Sequence, residues 1–216
     1  MIGLLAIVIA YLIGAIPFGY LVVKFTTGGD IRESGSGNIG ATNVLRTTGR
    51  GPAILTLVLD TAKGFLAVWL AAWLTRSPDD GGSPGWIAYA ALAVMAGHAF
   101  PVFLKFQGGK AVATFVGAFL YVAPVPLLAA LTVFLITVAW TRYISAGSIL
   151  AAGSFPLGVW LIDHPPLIVF LASLIAAGFI VYRHKSNLER LRLGTEHVFR
   201  WKAQQAGAAR AARHVR

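Results

Sequence analysis

Long apolar runs are the feature that most constrains how this chain can fold. They cover roughly residues 2–25, 51–75, 86–104, 111–139, 144–162 and 165–182. A helix needs about 20 apolar residues to cross the roughly 30 Å of hydrocarbon in a bilayer, and most of these runs are long enough. Charged residues make up only 12% of the 216 residues, about half of the roughly 25% usual in soluble domains. The sequence therefore predicts an all-α polytopic membrane protein. Its first run is too long and uniform for a cleaved signal, so we interpret it as a permanent span.

The run 111–139 is too long to be a single span. Its roughly 29 residues would form a helix of about 43 Å, and it contains the sequence APVP at Ala123–Pro126. Pro124 and Pro126 each remove a backbone donor and disfavour helix at the preceding residue. We therefore predict a short helix near 110–122 and another near 125–140, which brings the number of transmembrane helices to about seven.

The basic residues indicate how these spans are oriented. Half of the 18 Lys and Arg residues follow Tyr182, and most of the others lie at the ends of apolar runs. This distribution is typical of a topology signal and of an anionic lipid surface, and it argues against nucleic acid as a partner despite the net charge of +10. With seven spans, one face receives Lys24, Arg32, Arg46, Arg50, Lys105, Lys110, Arg142, Arg183 and the C-terminal tail. The other face receives Asp79, Asp80, Asp163 and Arg76. The positive-inside rule makes the first face cytoplasmic, so we expect the N-terminus outside and the C-terminus in the cytoplasm.

The chain divides into two parts by composition. Residues 1–199 form a single transmembrane domain that contains all the apolar runs. Residues 200–216 form a basic tail rich in Ala and Arg, for which we expect either a helix on the anionic lipid surface or disorder.

Three polar segments converge on the predicted cytoplasmic face. They are SGSGNIGATNVLR at 34–46, KFQGGKAVAT at 105–114 and HKSNLERLRLGTE at 184–196. Glycines let the backbone approach a ligand, and exposed N–H groups form anion-binding nests. We expect a helix to start after each segment, where its N-terminus would favour a phosphate. Each segment alone could be a simple connection, and GGK is not a Walker loop because the GxxxxGK[ST] spacing is missing. Three such segments on one face, rich in donors and poor in acids, indicate a phosphate site without an obligatory metal.

These segments resemble the three signature motifs of the bacterial membrane acyl-phosphate:glycerol-3-phosphate acyltransferases, the PlsY family. The resemblance extends to YLIGAIPFGYLV in the first span, LDTAKG at 59–64 and GHAFPVFLKFQGGKAVAT at 97–114. Two positions depart from the family pattern: Ala111 stands where Gly is usual, and Leu188 where Ile is common.

The resemblance implies a reaction without coenzyme A. The sn-1 hydroxyl of glycerol 3-phosphate attacks an acyl phosphate and gives 1-acyl-glycerol 3-phosphate, which is lysophosphatidic acid, and inorganic phosphate, as the first step of phospholipid synthesis. No cofactor or metal is implied. The expected partners are the two substrates, a bilayer with anionic lipids and the enzyme that makes acyl phosphate. The expected location is the bacterial plasma (inner) membrane, as a multi-pass protein.

The resemblance assigns Ser36, Arg46, Lys110, His184 and Asn187 to the site, and the remaining candidates are added for their polar groups or their flexible backbone on the same face. Lys110, His184 and Asn187 are the expected catalytic residues. The expected substrate-binding residues are Ser36, Gly37, Asn38, Gly40, Thr42, Asn43, Arg46, Gly108, Gly109, Ser145 and Ser148. Plainer interpretations stay open for several of them. Arg46 and Lys110 would also serve as positive-inside anchors, and His184 and Asn187 as caps of the last span. Ser145 and Ser148 would also serve as helix caps in a polar turn.

The residues that are missing favour direct attack. None of the five histidines has an Asp five residues further on, so the HxxxxD pair of other glycerolipid acyltransferases is absent. The sequence has neither a GxSxG elbow nor a Cys to act as nucleophile. An acyl phosphate is already activated, so we expect no acyl-enzyme, with the proton passing to a substrate phosphate or to His184. Catalysis would come mainly from positioning and from cations that meet the departing phosphate.

Three ionisable residues lie within the apolar runs. Asp60 and Lys63 are three apart on one face of the second span, where we expect a structural ion pair, with direct contact to substrate as the alternative. We expect His98 to satisfy a backbone carbonyl. Two other functions remain as alternatives at this point: a carrier for phosphate esters, and an acyltransferase supplied by acyl-CoA or acyl-carrier protein.

Overall fold

All the regular secondary structure of the described residues is helical. The computed structural model describes residues 1–76 and 83–199. The α-helices in these ranges are α1 (Ile2–Ala15), α2 (Phe18–Thr27), α3 (Ala41–Thr47), α4 (Arg50–Leu74), α5 (Pro84–Ala99), α6 (Val112–Val122), α7 (Pro124–Thr141), α8 (Ile144–Gly158), α9 (Leu167–Arg183) and α10 (Lys185–Arg192). Short 3-10 helices cover Ile31–Glu33 and Val102–Leu104, and a π-helical turn covers Val159–Asp163. The all-helical membrane fold predicted from the apolar runs is confirmed.

The split of the long run 111–139 is also confirmed. α6 ends at Val122 and α7 begins at Pro124, so the break falls at Ala123. α6 has 11 residues, which gives it a length of about 17 Å. Pro124 and Pro126 both lie in the first turn of α7, where a missing N–H costs no intrahelical hydrogen bond.

The first apolar run contains a break that was not predicted. α1 ends at Ala15 and α2 begins at Phe18, with Pro17 between them. The carbonyl oxygen of Ile16, at this break, accepts a hydrogen bond of 2.8 Å from Nζ of Lys63 on α4. The two helices together, Ile2–Thr27, remain long and apolar enough to cross a membrane.

Five segments in the described ranges meet the length and hydropathy expected of a membrane span. They are Ile2–Thr27, Arg50–Leu74, Pro84–Leu104, Pro124–Thr141 and Ile144–Asp163. The pair α9 and α10, bent by 56°, adds a sixth if it is counted as one span. The apolar helix α6 is shorter than these. The count of seven and the orientation in the membrane therefore stay predictions. Asp79, Asp80 and the tail 200–216, on which part of the orientation argument rested, lie outside the described residues.

Glycines set the closest helix contacts in the bundle. A Cβ atom at Gly14 of α1 would collide with the carbonyl of Val94 on α5, and one at Gly97 of α5 would collide with the carbonyl of Tyr11 on α1. The contact between α4 and α6 has the same reciprocal form, with Gly64 against Thr114 and Gly117 against Thr61. Small residues of this kind let backbones approach closely where lipid provides no hydrophobic driving force between helices.

One end of the bundle collects the three polar segments, and we call it the polar end. It carries residues 34–46, 105–114, 142–148 and 184–199. Ser145 at the start of α8 donates a hydrogen bond to Glu196, and the N–H of Phe199 donates to the carbonyl of Arg142 at 2.7 Å. Lys110, just before α6, is hydrogen-bonded to Asn187 on α10. α6 therefore leaves the polar end and α7 returns to it, so that α8 starts and α9 ends there.

Candidate active site

The first segment is a loop pinned by one buried side chain. Asn43, on α3, accepts a hydrogen bond from the N–H of Ser36 at 3.0 Å through Oδ1. Its Nδ2 group donates to the carbonyls of Ser34 and Asn38 at 3.0 and 2.9 Å. The side chain of Asn38 in turn accepts from the N–H of Gly40 at 2.8 Å. The amides of Asn43 and Asn38 thus hold the loop in shape, and a direct contact of either with substrate remains a prediction.

The loop leaves its small residues at the surface. Ser36, Gly37 and Thr42 are exposed, and Gly35 and Gly37 have φ values of +61° and +69°. Side chains are strained in this left-handed region, and a Cβ at Gly35 would also collide with Oδ1 of Asn43. The glycines are therefore required by the turn itself, and the hydroxyls of Ser36 and Thr42 are free to face a ligand.

The second segment is a tight glycine turn held on two sides. The N–H of Gly109 donates to the carbonyl of His98 at 3.1 Å. Arg183, at the end of α9, donates to the carbonyl of Gly109 from Nε at 3.1 Å and from Nη2 at 2.8 Å. Nη2 also donates to the carbonyl of Gly108 at 3.2 Å. Ala111, which replaces the usual Gly, has φ +59° and is buried, so the position that favours glycine here is occupied by a strained residue.

The third segment is mainly helical. α10 starts at Lys185, at the beginning of the segment, and residues 193–199 form no helix. The helix start that we expected after this segment falls largely on residues from 200 onwards, which lie outside the described residues. His184 lies at the junction of α9 and α10, and its Nδ1 is 2.8 Å from the carbonyl oxygen of Ile180. Since a carbonyl only accepts, Nδ1 carries the proton, and Nε2 of a neutral ring is left as an acceptor.

A hydrogen-bond network joins the second and third segments. Nζ of Lys110 donates to Oδ1 of Asn187, and Nδ2 of Asn187 donates to Oε1 of Glu196 at 2.8 Å. The same carboxylate accepts from Oγ of Ser145 at 3.0 Å and from Nε of Arg190 at 2.7 Å. Two of the three expected catalytic residues are therefore in contact, and Ser145 joins them through Glu196. Ser148 instead donates to the carbonyl of Ile144 on its own helix at 2.9 Å.

Glu196 and Arg190 were missed in the sequence. Glu196 is only 9% exposed. Burial raises the pKa of its carboxyl, but hydrogen bonds from Asn187, Ser145 and Arg190 outweigh this effect and hold the pKa below its usual value. The available signal was a segment of many cations with only two acids, Glu189 and Glu196, because an acid among cations can organise their positions.

Cations outnumber acids around this network. Arg46 lies within electrostatic range of Glu196 and Arg190, and burial lowers the pKa of its guanidinium. Burial, together with the positive charge of Arg190, lowers the pKa of Lys110 to about 8. The carboxylate of Glu196 opposes this decrease, and Arg46 and Arg183 add to it. An additional anion would therefore relieve repulsion among these cations, which is the electrostatic requirement for a phosphate site.

The intramembrane residues form a separate buried cluster. Lys63 and Asp60 pair at 2.8 Å, both side chains being 2% exposed, so the predicted structural ion pair is confirmed. The prediction for His98 is wrong: its Nδ1 points to Oδ1 of Asp60 at 3.5 Å and has no backbone carbonyl partner among the described residues. The reason is that α4 places a carboxylate level with the ring. Within residues 1–76 and 83–199, no three His, Asp or Glu side chains converge as metal ligands would.

The fold and the site together define a polytopic helical membrane protein with a polar end rich in hydrogen-bond donors and cations. The sequence profile of the glycerol-3-phosphate acyltransferase family matches residues 4–194. The chain belongs to this family, and it is an acyltransferase.

Individual relatives match over most of their length. The glycerol-3-phosphate acyltransferase of Desulforamulus reducens is 48% identical over 188 residues, which cover 87% of this chain and 90% of the relative. That of Geobacter sulfurreducens is 46% identical over 192 residues, covering 89% and 95%. The crystal structure of PlsY, an integral membrane glycerol 3-phosphate acyltransferase, in its glycerol 3-phosphate form superposes with a TM-score of 0.83 at 36% identity, covering 92% of this chain and 96% of that one. Its lysophosphatidic acid form gives a TM-score of 0.81. The family membership decides against the phosphate-ester carrier.

Proposed function

We propose that the chain transfers an acyl group from acyl phosphate to the sn-1 hydroxyl of glycerol 3-phosphate at the polar end. Glycerol 3-phosphate, as substrate, and lysophosphatidic acid, as product, are the ligands of the related PlsY structures. The observation that carries the proposal is the network of Lys110, Asn187 and Glu196, with Arg46 and Arg190 beside it. Such a group of cations suits a reaction in which both substrates and both products carry phosphate.

The proposed chemical step is a direct displacement. The sn-1 oxygen attacks the acyl carbon, the bond from that carbon to the phosphate oxygen breaks, and inorganic phosphate leaves. The proton of the hydroxyl passes to a substrate phosphate or to Nε2 of His184. No acyl-enzyme forms, and two observations on side chains that could act as the nucleophile support this. The sequence has no Cys, and the hydroxyl of Ser145 is buried and donates to a carboxylate.

In this mechanism Lys110 and Arg46 have different roles. Lys110 offers a compact charge to the departing phosphate, and Arg46 offers the planar fork that suits a phosphate in two contacts. Asn187 orients the ammonium of Lys110 through its hydrogen bond, and Glu196 orients the amide of Asn187 in the same way. Ser36 contributes its exposed hydroxyl to the binding of glycerol 3-phosphate, and the glycine turn at Gly108 and Gly109 holds Lys110 in position. The acyl chain lies between helices while its mixed anhydride stays at the membrane edge.

The proposed setting is the bacterial plasma membrane with the polar end in the cytoplasm. The enzyme that makes acyl phosphate is the proposed upstream partner, because a mixed anhydride with a long acyl chain is both reactive and poorly soluble in water. Anionic lipids are the proposed neighbours of the basic residues at this end.

Donor choice tests the proposal. Purified protein receives glycerol 3-phosphate with acyl phosphate, acyl-CoA or acyl-carrier protein in turn, and lysophosphatidic acid is measured together with phosphate. We expect product only from acyl phosphate, with one phosphate released for each acyl chain transferred. Product from acyl-CoA and none from acyl phosphate would overturn the donor assignment.

Direct transfer has its own test. The protein is mixed with acyl phosphate labelled in the acyl chain, without glycerol 3-phosphate, and then denatured. We expect no label bound covalently to the chain. A stable labelled protein that releases its acyl group on addition of glycerol 3-phosphate would show an acyl-enzyme instead.

A further inference from the structure

Arg183 makes an unusual set of contacts for a cation at the end of a membrane helix. Its guanidinium donates three hydrogen bonds, all of them to the carbonyls of Gly108 and Gly109. Among the residues that the structure describes, no carboxylate lies within ion-pair distance of it. Positive-inside anchoring, which was its only predicted role, does not require such a specific set of acceptors.

The guanidinium is also fixed on its other side. It lies 5.1 Å from the centroid of the Phe100 ring, in a cation–π contact. The carbonyl of Phe100 accepts a hydrogen bond of 2.7 Å from the hydroxyl of Tyr11 on α1, and its ring packs edge to face with Phe179. The position of Arg183 is therefore determined by α1, α5 and α9 together, and not by its own flexible side chain.

The Gly108–Gly109 turn that Arg183 holds is packed against His98 of α5 on its other side. The N–H of Gly109 is bonded to the carbonyl of His98, and a Cβ at Gly109 would collide with the His98 ring. The turn is thus clamped between α5 and the guanidinium. Lys110 follows directly and reaches Asn187, which lies four residues after Arg183.

We propose that Arg183 is a positioning residue for the acyl transfer, which holds the Gly108–Gly109 turn so that Lys110 meets Asn187 in the reacting geometry. The inference rests on the proposed function, because it gives Lys110 its role at the phosphate. Two sets of hydrogen bonds, one from Arg183 to the turn and one between Lys110 and Asn187, fix the second polar segment against the third. A misplacement of about 1 Å in such a site can cost on the order of a hundredfold in rate.

The first test of the proposal compares kcat/KM for glycerol 3-phosphate among variants of Arg183. Arg183→Gln removes the fork and should lower kcat/KM for glycerol 3-phosphate by roughly tenfold to a hundredfold. Arg183→Lys keeps the charge but not the fork, so it should fall between Arg183→Gln and the wild type. Arg192→Gln is the matched control, since Arg192 is an exposed residue of the same type on α10, and we expect it to be neutral. Wild-type activity of Arg183→Gln would overturn the proposal.

A double-mutant cycle separates positioning from general damage. If Arg183 acts through Lys110, then Arg183→Gln should cost less than about threefold in a Lys110→Ala background, although it costs tenfold or more in the wild type. Equal losses in both backgrounds would overturn the inference and leave the proposed function intact. A Lys110→Ala variant with wild-type activity would overturn both. If Arg183→Gln does not yield monodisperse protein, Arg183→Lys takes its place, and its loss in the Lys110→Ala background should be smaller than its loss in the wild type. The cycle can be measured with whichever acyl donor supports the reaction.

Discussion

At the scale of single residues, the polar end depends on one acid and several cations. Glu196 is reached by Ser145, Asn187 and Arg190, which come from α8 and α10. Within the part of the chain that the structure describes, the ammonium of Lys110 has one hydrogen-bond partner, the amide oxygen of Asn187. Its ammonium is therefore positioned by a neutral group and remains available to an anion.

The pH dependence of the reaction should report the charge of Lys110. Its pKa is lowered to about 8, chiefly by burial, so the free enzyme loses the ammonium as pH rises through that value. We expect kcat/KM for glycerol 3-phosphate to fall by about tenfold for each pH unit above about 8. The substrate phosphate, with a second pKa of about 6, is already a dianion in this range. The measurement is initial rate at low glycerol 3-phosphate across pH.

Lys110→Arg provides the control for this profile. A guanidinium keeps its proton throughout the range, so the variant should lack the decrease near pH 8, whatever its absolute rate. The sign for stability is the opposite of that for activity. The unfolded chain binds more protons at this position between about 8 and the ordinary value of 10.5, so the free energy of unfolding should rise with pH in that window. A wild-type kcat/KM that is flat through pH 8 would remove Lys110 from phosphate binding.

At the scale of helices, glycines decide which pairs can touch. Gly117 on α6 faces the carbonyl of Thr61 on α4, whereas Gly153 on α8 has open space beyond it. The short helix α6 is thus held close to α4 by backbone contact, and the rings of Phe65 on α4 and Tyr121 on α6 add an edge-to-face contact.

Alanine substitutions at these two glycines should differ sharply. Gly117→Ala adds a Cβ where a carbonyl already lies, and overpacking of this kind costs about 1–3 kcal/mol. We expect its apparent Tm in detergent to drop on the order of 2–12 °C. Gly153→Ala should stay close to the wild type or exceed it. Equal melting temperatures for the two variants would contradict the role of Gly117 in packing.

The sequence predicted most elements because their causes are local. Pro124 and Pro126 are close together in a run longer than one span needs, so the break at Ala123 could be predicted. The break at Pro17 could not, because membrane helices tolerate single prolines and the run 2–25 has the length of one span. His98 was misjudged for a different reason, since its neighbour Asp60 lies on another helix.

The same distinction applies to the candidate site. The three polar segments could be found from glycines and cations that are close in sequence. Their contacts could not, because Lys110 and Asn187 are 77 residues apart and Ser145 and Glu196 are 51 apart. The roles of Glu196 and Arg183 arise only when α8, α9 and the glycine turn are placed side by side.

At the scale of the whole molecule, contacts favour seven passes through the membrane. Residues 110, 142, 187 and 199 all lie at the polar end. α6 must then carry the chain away from this end and α7 must bring it back, even though α6 has only 11 residues. If α6 did not cross, His184 and Lys110 would lie on opposite faces of the bilayer.

Cysteine labelling tests this topology in a chain that has no Cys of its own. Single cysteines at Arg76, His164, Ser36 and Ser186 all replace exposed residues. We expect an impermeant thiol reagent added outside intact cells to label the first two and not the last two. Permeabilised cells, in which all four should react, provide the control. Labelling of position 186 from outside would rule out the seven-pass arrangement.

The bond between Lys63 and the Ile16 carbonyl has a consequence for how the protein is made. During synthesis Ile16 leaves the ribosome 47 residues before Lys63, which donates the hydrogen bond to its carbonyl. Until α4 enters the bilayer, the chain at Pro17 lacks one of its native hydrogen-bond partners at a depth where water cannot substitute. Lys63 in turn enters with Asp60 already three residues ahead of it, so the pair can cross as a neutral unit. We therefore expect the first span to reach its final form only after α4 has entered the membrane beside it.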